Sequence, residues 1–147
     1  MRMTNRDISV SAIYQDDFFQ ITALQIDTLY TEPVKEYRIS LTGHFDDRLY
    51  LRAIGVDELK GSKGDICAPA KDSVQALLGV QVGGGFHRAV EELLGPSSCM
   101  HFPALLRLMA STALRCRQIR IFQTEGEEAF IKSNRALFNV KCVGYSD

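Results

Sequence analysis

Cys99-Met100-His101 is the segment of this chain whose residue types and spacing carry the most chemistry. The thiol and imidazole stand two residues apart, just ahead of an apolar-periodic run that opens at Phe102-Pro103. Exposed backbone N–H groups and the macrodipole at a helix N-terminus favour thiolate over thiol, and a nearby histidine can accept the proton. This arrangement suits a thiol-dependent enzyme with Cys99 as nucleophile, assisted by His101. The same two side chains can also reach one metal ion, zinc or iron, although structural zinc sites usually show closer pairs such as Cys-x-x-Cys. Cys67, in the loop before the first helix, and Cys142, in a final strand-like segment, can each approach Cys99 in a folded chain. Taken singly, each cysteine is explained as well by packing, because free cysteine is among the most buried residue types. Cys116 falls on the apolar stripe of the longest helix and is assigned to the core.

The remaining candidates have plainer explanations. Gly79, Gly83, Gly84 and Gly85 precede a helix, but without a P-loop or dinucleotide spacing they read as a connector. His44 is expected in a solvated hairpin turn, and His87 and Arg88 on a solvated helix face with Glu91 and Glu92 four residues on. Asp27 interrupts an apolar strand, which an edge position explains. Arg115, Arg117 and Arg120 are placed around the C-terminal end of the long helix, where the dipole stabilises cations.

The elements that must position these residues follow from periodicity. Ile8 to Val56 is dominated by a period of two, reading as about four antiparallel strands joined by hairpins. Asp16-Asp17 offers the first turn, a bulge is expected near Thr22-Ala23, Pro33 breaks the second run, and 43–47 make the third connection. Gly61 to Asp65 reads as a loop, after which the period becomes helical. Val74, Leu77 and Leu78 end at Gly79; Phe86, Val90, Leu93 and Leu94 end at Gly95-Pro96; Leu105, Leu106, Met109, Ala113 and Cys116 share one stripe. A short acidic helix from Glu125 to Asn134 precedes an extended segment, Leu137 to Tyr145. The fold class is therefore α+β: one domain over residues 1–147, an N-terminal antiparallel sheet covered by three to four helices.

Composition narrows the partners. Seventeen basic against eighteen acidic residues give a net charge of -1, so no global field attracts nucleic acid or an anionic membrane. There is no secretory leader pattern at Met1 to Asp7 and no run of eighteen apolar residues, which points to a cytoplasmic protein with reduced thiols. Hydrolase, zincin and kinase signatures are missing.

Asp65-Ile66-Cys67-Ala68-Pro69, the run from Leu77 to Phe86, Arg88 to Gly95, and Ser98-Cys99-Met100-His101-Phe102 together resemble a bacterial family, domain-of-unknown-function family 2889. Cys142 and Tyr145 match its last cysteine and aromatic. The resemblance implies that Cys67, Cys99, His101 and Cys142 act as one set, a possible metal site. The leading expectation is thus a non-catalytic ligand- or metal-binding accessory protein, taking a small ligand or a protein partner. The alternatives are the Cys99 enzyme and an interaction domain that forms homo-oligomers.

Overall fold

A computed structural model describes residues 1–61, 64–94 and 99–138, with backbone alone at 64–69 and 137–138. It divides into two units, Met1–Ala113 and Leu114–Asp147. The alternating third of the sequence forms strands β1 (Thr4–Gln15), β2 (Phe18–Leu29), β3 (Lys35–Phe45) and β4 (Leu51–Lys60). They make one antiparallel sheet in the order β1-β2-β3-β4. The helices follow, as an α+β chain requires.

Asp16 and Asp17, at φ 53° and 64°, supply the left-handed pair of a two-residue turn. Aspartate tolerates this conformation, and such a turn matches the twist of its flanking strands. Register then runs unbroken from Gln15 opposite Phe18 to Thr4 opposite Leu29. The bulge expected near Thr22-Ala23 is therefore not formed. Phe19, Ile21, Ala23, Gln25 and Asp27 are all buried along one face of β2. The second apolar parity read from Leu24 and Ile26 belongs to the half-buried outward row. Register shifts fall instead between β3 and β4, at Ser40/Leu41 and His44/Phe45.

Gly43 to Phe45 complete β3 rather than making a connection. Gly43 is needed for close approach: a Cβ there would lie 3.1 Å from Met109 Cε and 3.3 Å from Leu51 Cδ1. His44 is consequently a strand residue between Gln20 and Ala53, not a turn residue. The turn proper is organised by Asp46, whose Oδ1 accepts N–H bonds from Arg48 and Tyr50, both 3.0 Å, and whose Oδ2 accepts from Arg52 Nε at 2.8 Å. It lets Leu49 sit buried at φ 66°, where a leucine costs about 1–2 kcal/mol.

After β4 the chain forms a 3₁₀ helix, Gly64–Leu77, where the period predicted an ordinary helix following a loop from Gly61 to Asp65. Val74 and Leu77, three apart and both fully buried, match its three-residue repeat. Gly79, at φ 85°, ends it. Helix α1 (Phe86–Leu94) buries Phe86, Val90 and Leu94 and leaves Leu93 exposed. Helix α2 (Phe102–Glu125) buries Phe102, Leu105, Leu106, Met109, Ala110 and Ala113. The Met109–Gly43 contact shows that this stripe lies on the sheet. Arg88 pairs with Glu92 as expected, but Glu91 pairs with Arg107 of α2 at 2.6 Å rather than with His87.

In the second unit, Gly126 at φ 95° separates α2 from α3 (Glu127–Phe138). Helix α3 takes Leu137 and Phe138 from the expected extended segment, and the rest of that segment lies outside the described residues. Cys116 is half-buried, not core; Gln118 holds the buried position there. Arg115, Arg117 and Arg120 lie before the last turn of α2, which has no basic residue, so the helix-end explanation fails for them. No helix among the described residues is long and apolar enough to cross a membrane.

Candidate functional site

The inward row of β2 changes character along its length. Phe19, Ile21 and Ala23 are apolar core, whereas Gln25 and Asp27 are polar and remain only 2% and 8% exposed. β2 lies between β1 and β3, so Asp27 is not on an edge, as its carboxylate suggested. A buried carboxylate must be bonded and charge-compensated. Arg6, directly opposite on β1, supplies both in a two-pronged contact: Nε to Oδ1 at 2.7 Å and Nη2 to Oδ2 at 2.8 Å. Gln25 Nε2 adds a third donor to Oδ2 at 3.0 Å.

The second half of the site forms where α2 begins. His101 provides the carbonyl that accepts the Leu105 N–H at 3.4 Å, which makes it the cap residue of the helix. The Phe102 N–H bonds back to the Cys99 carbonyl at 3.1 Å, closing the turn 99–102. Pro103 sits in the first helical turn, where its missing N–H has no intrahelical partner. Phe102 is fully buried and anchors this start. The closed turn brings Cys99 Sγ to 3.4 Å from His101 Nδ1, in partly buried surroundings.

The Arg6 hydrogen bonds hold the Asp27 carboxyl below the usual carboxylate range; burial opposes this, while Gln25, the Arg6 charge and the charge of His101 reinforce it. A carboxyl depressed in the folded state stabilises the fold above its unfolded pKa, roughly 4, and loses that contribution as pH falls through its lower folded value. Wild-type protein is therefore expected to lose stability below about pH 4 more steeply than Asp27→Asn does. Urea midpoints from pH 3 to 7 check this, and parallel curves would contradict it.

A family model described as protein of unknown function, DUF2889, matches residues 2–115 of this chain. The chain belongs to that family. No curated protein and no solved structure matches it. The DUF2889 match spans all four strands, the start of α2 and every residue of the two half-sites.

Of the four residues expected to act together in this DUF2889 protein, Cys99 and His101 meet. Cys67 falls in the 3₁₀ helix rather than a loop, with only its backbone described, and Cys142 lies outside the described residues. Among the described residues, no three His, Cys, Asp or Glu side chains gather in a way that could hold a metal. Arg6 was missed by sequence reasoning. Its signal was present: Arg6 and Asp27 are equidistant from the Asp16-Asp17 turn, so an unbroken hairpin must pair them.

Proposed function

We propose that this protein performs covalent thiol chemistry, with Cys99 as nucleophile and His101 as the group that takes and returns its proton. The observation that carries this reading is the 3.4 Å Sγ–Nδ1 contact at the start of α2. Transfer of the Cys99 proton to Nδ1 leaves a thiolate beside an imidazolium at a helix N-terminus, a combination that keeps sulfur nucleophilic near neutral pH. A sulfur–carbon bond then forms at an electrophilic carbon, and the imidazolium delivers its proton to the departing group. The reading goes with a proposed cytoplasmic location, a compartment that would hold the thiol reduced.

Peptide-resolved alkylation tests it. With neutral iodoacetamide at pH 7, Cys99 is expected to react about ten to a hundred times faster than Cys116, whose thiol burial pushes up. His101→Gln is expected to remove most of that difference while leaving the fold intact. Equal rates at the two cysteines would reject the reading.

The same distance favours a second reading. Two ligands of one tetrahedral zinc, at about 2.3 Å for sulfur and 2.1 Å for nitrogen, stand roughly 3.6 Å apart, close to the Cys99–His101 separation. Cys67 and Cys142 would then supply further donors. Native mass spectrometry of untagged protein separates the two: about one zinc or iron per chain, with Cys99 protected until chelation, supports the metal. Metal-free protein with a fast Cys99 supports the nucleophile.

A further inference from the structure

We propose that β1 is the docking edge for a second copy of this chain, the two β1 strands pairing antiparallel about a two-fold axis at Ser9. The two edges of the sheet differ. With the order β1-β2-β3-β4, the edges are β1 and β4. At β4 the chain covers its own edge. The Leu51 N–H donates to the Val80 carbonyl at 3.0 Å, the Gly79 N–H to the Leu51 carbonyl at 2.7 Å, and Gln75 Nε2 to the Ile54 carbonyl at 2.6 Å. Beyond β1 no strand lies among the described residues. An open edge is a template for another strand, and monomeric proteins blunt it with lysine, proline or a bulge. The twelve residues of β1 include no lysine, proline or glycine, and their register with β2 is unbroken.

The hydrogen-bond pattern tells which residues present their backbone to that edge. The Tyr30 N–H donates to the Met3 carbonyl at 3.0 Å, so Met3 and Tyr30 are a bonded pair that continues the β1–β2 register. Bonded and non-bonded pairs alternate along an antiparallel ladder. Odd-numbered residues of β1 therefore turn N–H and C=O toward β2, while Arg6, Ile8, Val10 and Ala12 turn theirs outward. The Arg6 side chain meets Asp27 on the inward row, so Ile8, Val10 and Ala12 share that face. Ile8 is 41% exposed there, and Val10 and Ala12 are half-buried. The rim of the core face thus carries apolar side chains and outward backbone groups on the same residues.

This set complements itself. It is centred on Ser9, and antiparallel pairing about Ser9 sets Ile8 opposite the second copy's Val10 and Arg6 opposite its Ala12. Apolar side chains stay on the inward face in both copies, and each β-branched residue gains a cross-strand β-branched neighbour. Centring the pair on Arg6 or Asp7 would set like charges directly opposite, which is unfavourable. The ends of the strand agree in charge. Arg2 precedes β1 and Asp16 and Asp17 follow it, with Asp47 held nearby by the Tyr14 hydroxyl at 3.2 Å. Antiparallel pairing about Ser9 brings Arg2 of each copy beside Asp16 of the other. These matched ends and the Ile8–Val10 contacts favour a copy of this chain over a strand of unrelated sequence.

Sedimentation equilibrium of the full chain is expected to show a dimer. Ser9 faces Ser9 in a non-bonded pair, whose Cα atoms lie about 4.5 Å apart, within disulfide reach. Mild oxidation of Ser9→Cys is therefore expected to link two chains through position 9, located by peptide mapping, whereas Ser11→Cys, opposite Asp7, is not linked through position 11. Val10→Pro removes an outward N–H that β2 does not use. It is expected to keep the far-ultraviolet circular dichroism of the wild type and to raise the dimer dissociation constant at least about tenfold. Should Val10→Pro fail to fold, Ile8→Lys at the exposed rim is expected to weaken the dimer by a similar factor. A chain still monomeric at about 1 mM overturns the proposal. So does a dimer that the folded edge variants leave unchanged, or one that links through position 11 and not through position 9.

Discussion

Phe102→Ala is expected to lower the free energy of unfolding by about 3–5 kcal/mol, the range for removing a buried phenylalanine ring from a core. The ring is fully buried and directly follows the helix-capping His101. Its loss leaves a cavity beneath the first turn of α2, and the turn 99–102 loses its anchor. The Sγ–Nδ1 contact depends on that turn, so the preference of alkylating reagents for Cys99 over Cys116 is expected to fall as well. Urea denaturation and peptide-resolved alkylation measure the two losses. A cost below about 1 kcal/mol with Cys99 still fast would mean that something else fixes the start of the helix.

Asn134→Leu should act in the opposite direction, raising stability by about 1–3 kcal/mol. Asn134 is fully buried, and neither its Nδ2 nor its Oδ1 finds a partner among the described residues; Gln118 Oε1 is in the same position. Their placement follows from the hairpin of α2 and α3. Phe122 and Phe130, four residues to either side of Gly126, pack edge to face with centroids 5.5 Å apart. Gln118 and Asn134 are four residues further out, one turn along the same stripes. Two desolvated carboxamides thus occupy positions where leucines would gain apolar burial without stranding a donor or acceptor. Thermal unfolding of the single variants and of Gln118→Leu/Asn134→Leu checks the sign. A loss of stability in Asn134→Leu would contradict the view that the amide is unpaired and point to a partner outside the described residues.

The strands were legible because half-buried antiparallel strands write their burial directly into alternate residues. The helices were legible for a related reason, since Phe86, Val90 and Leu94 or Leu105, Leu106 and Met109 repeat at helical spacing. What misled the reading was local chemistry decided by tertiary contact. Gly43 looked like a turn residue because close approach of Met109 and a turn both call for glycine. Asp27 looked like an edge residue because a lone carboxylate gives no hint of an arginine twenty-one positions earlier. Cys116 looked like core because the apolar stripe of α2 was extended past Ala113, where the inward residue becomes Gln118. The Cys99–His101 pair was visible as spacing, but its contact depends on the turn that the Phe102 N–H closes.

The two-residue turn at Asp16-Asp17 makes the length of the first hairpin a stricter constraint than the identity of most residues in it. Every pair across β1 and β2 sums to the same number, as Arg6 and Asp27 do with Thr4 and Leu29. If the two-residue turn re-forms after one residue is added or removed there, the pairing slips by one, and a strand slipped by one turns each side chain to the other face. Arg6 and Asp27 would then point to opposite sides of the sheet, however well each residue was preserved. Lineages carrying this ion pair can therefore exchange the exposed Ser9 or Ser11 at little cost, but a single-codon insertion or deletion that leaves a two-residue turn would separate arginine from carboxylate in one step.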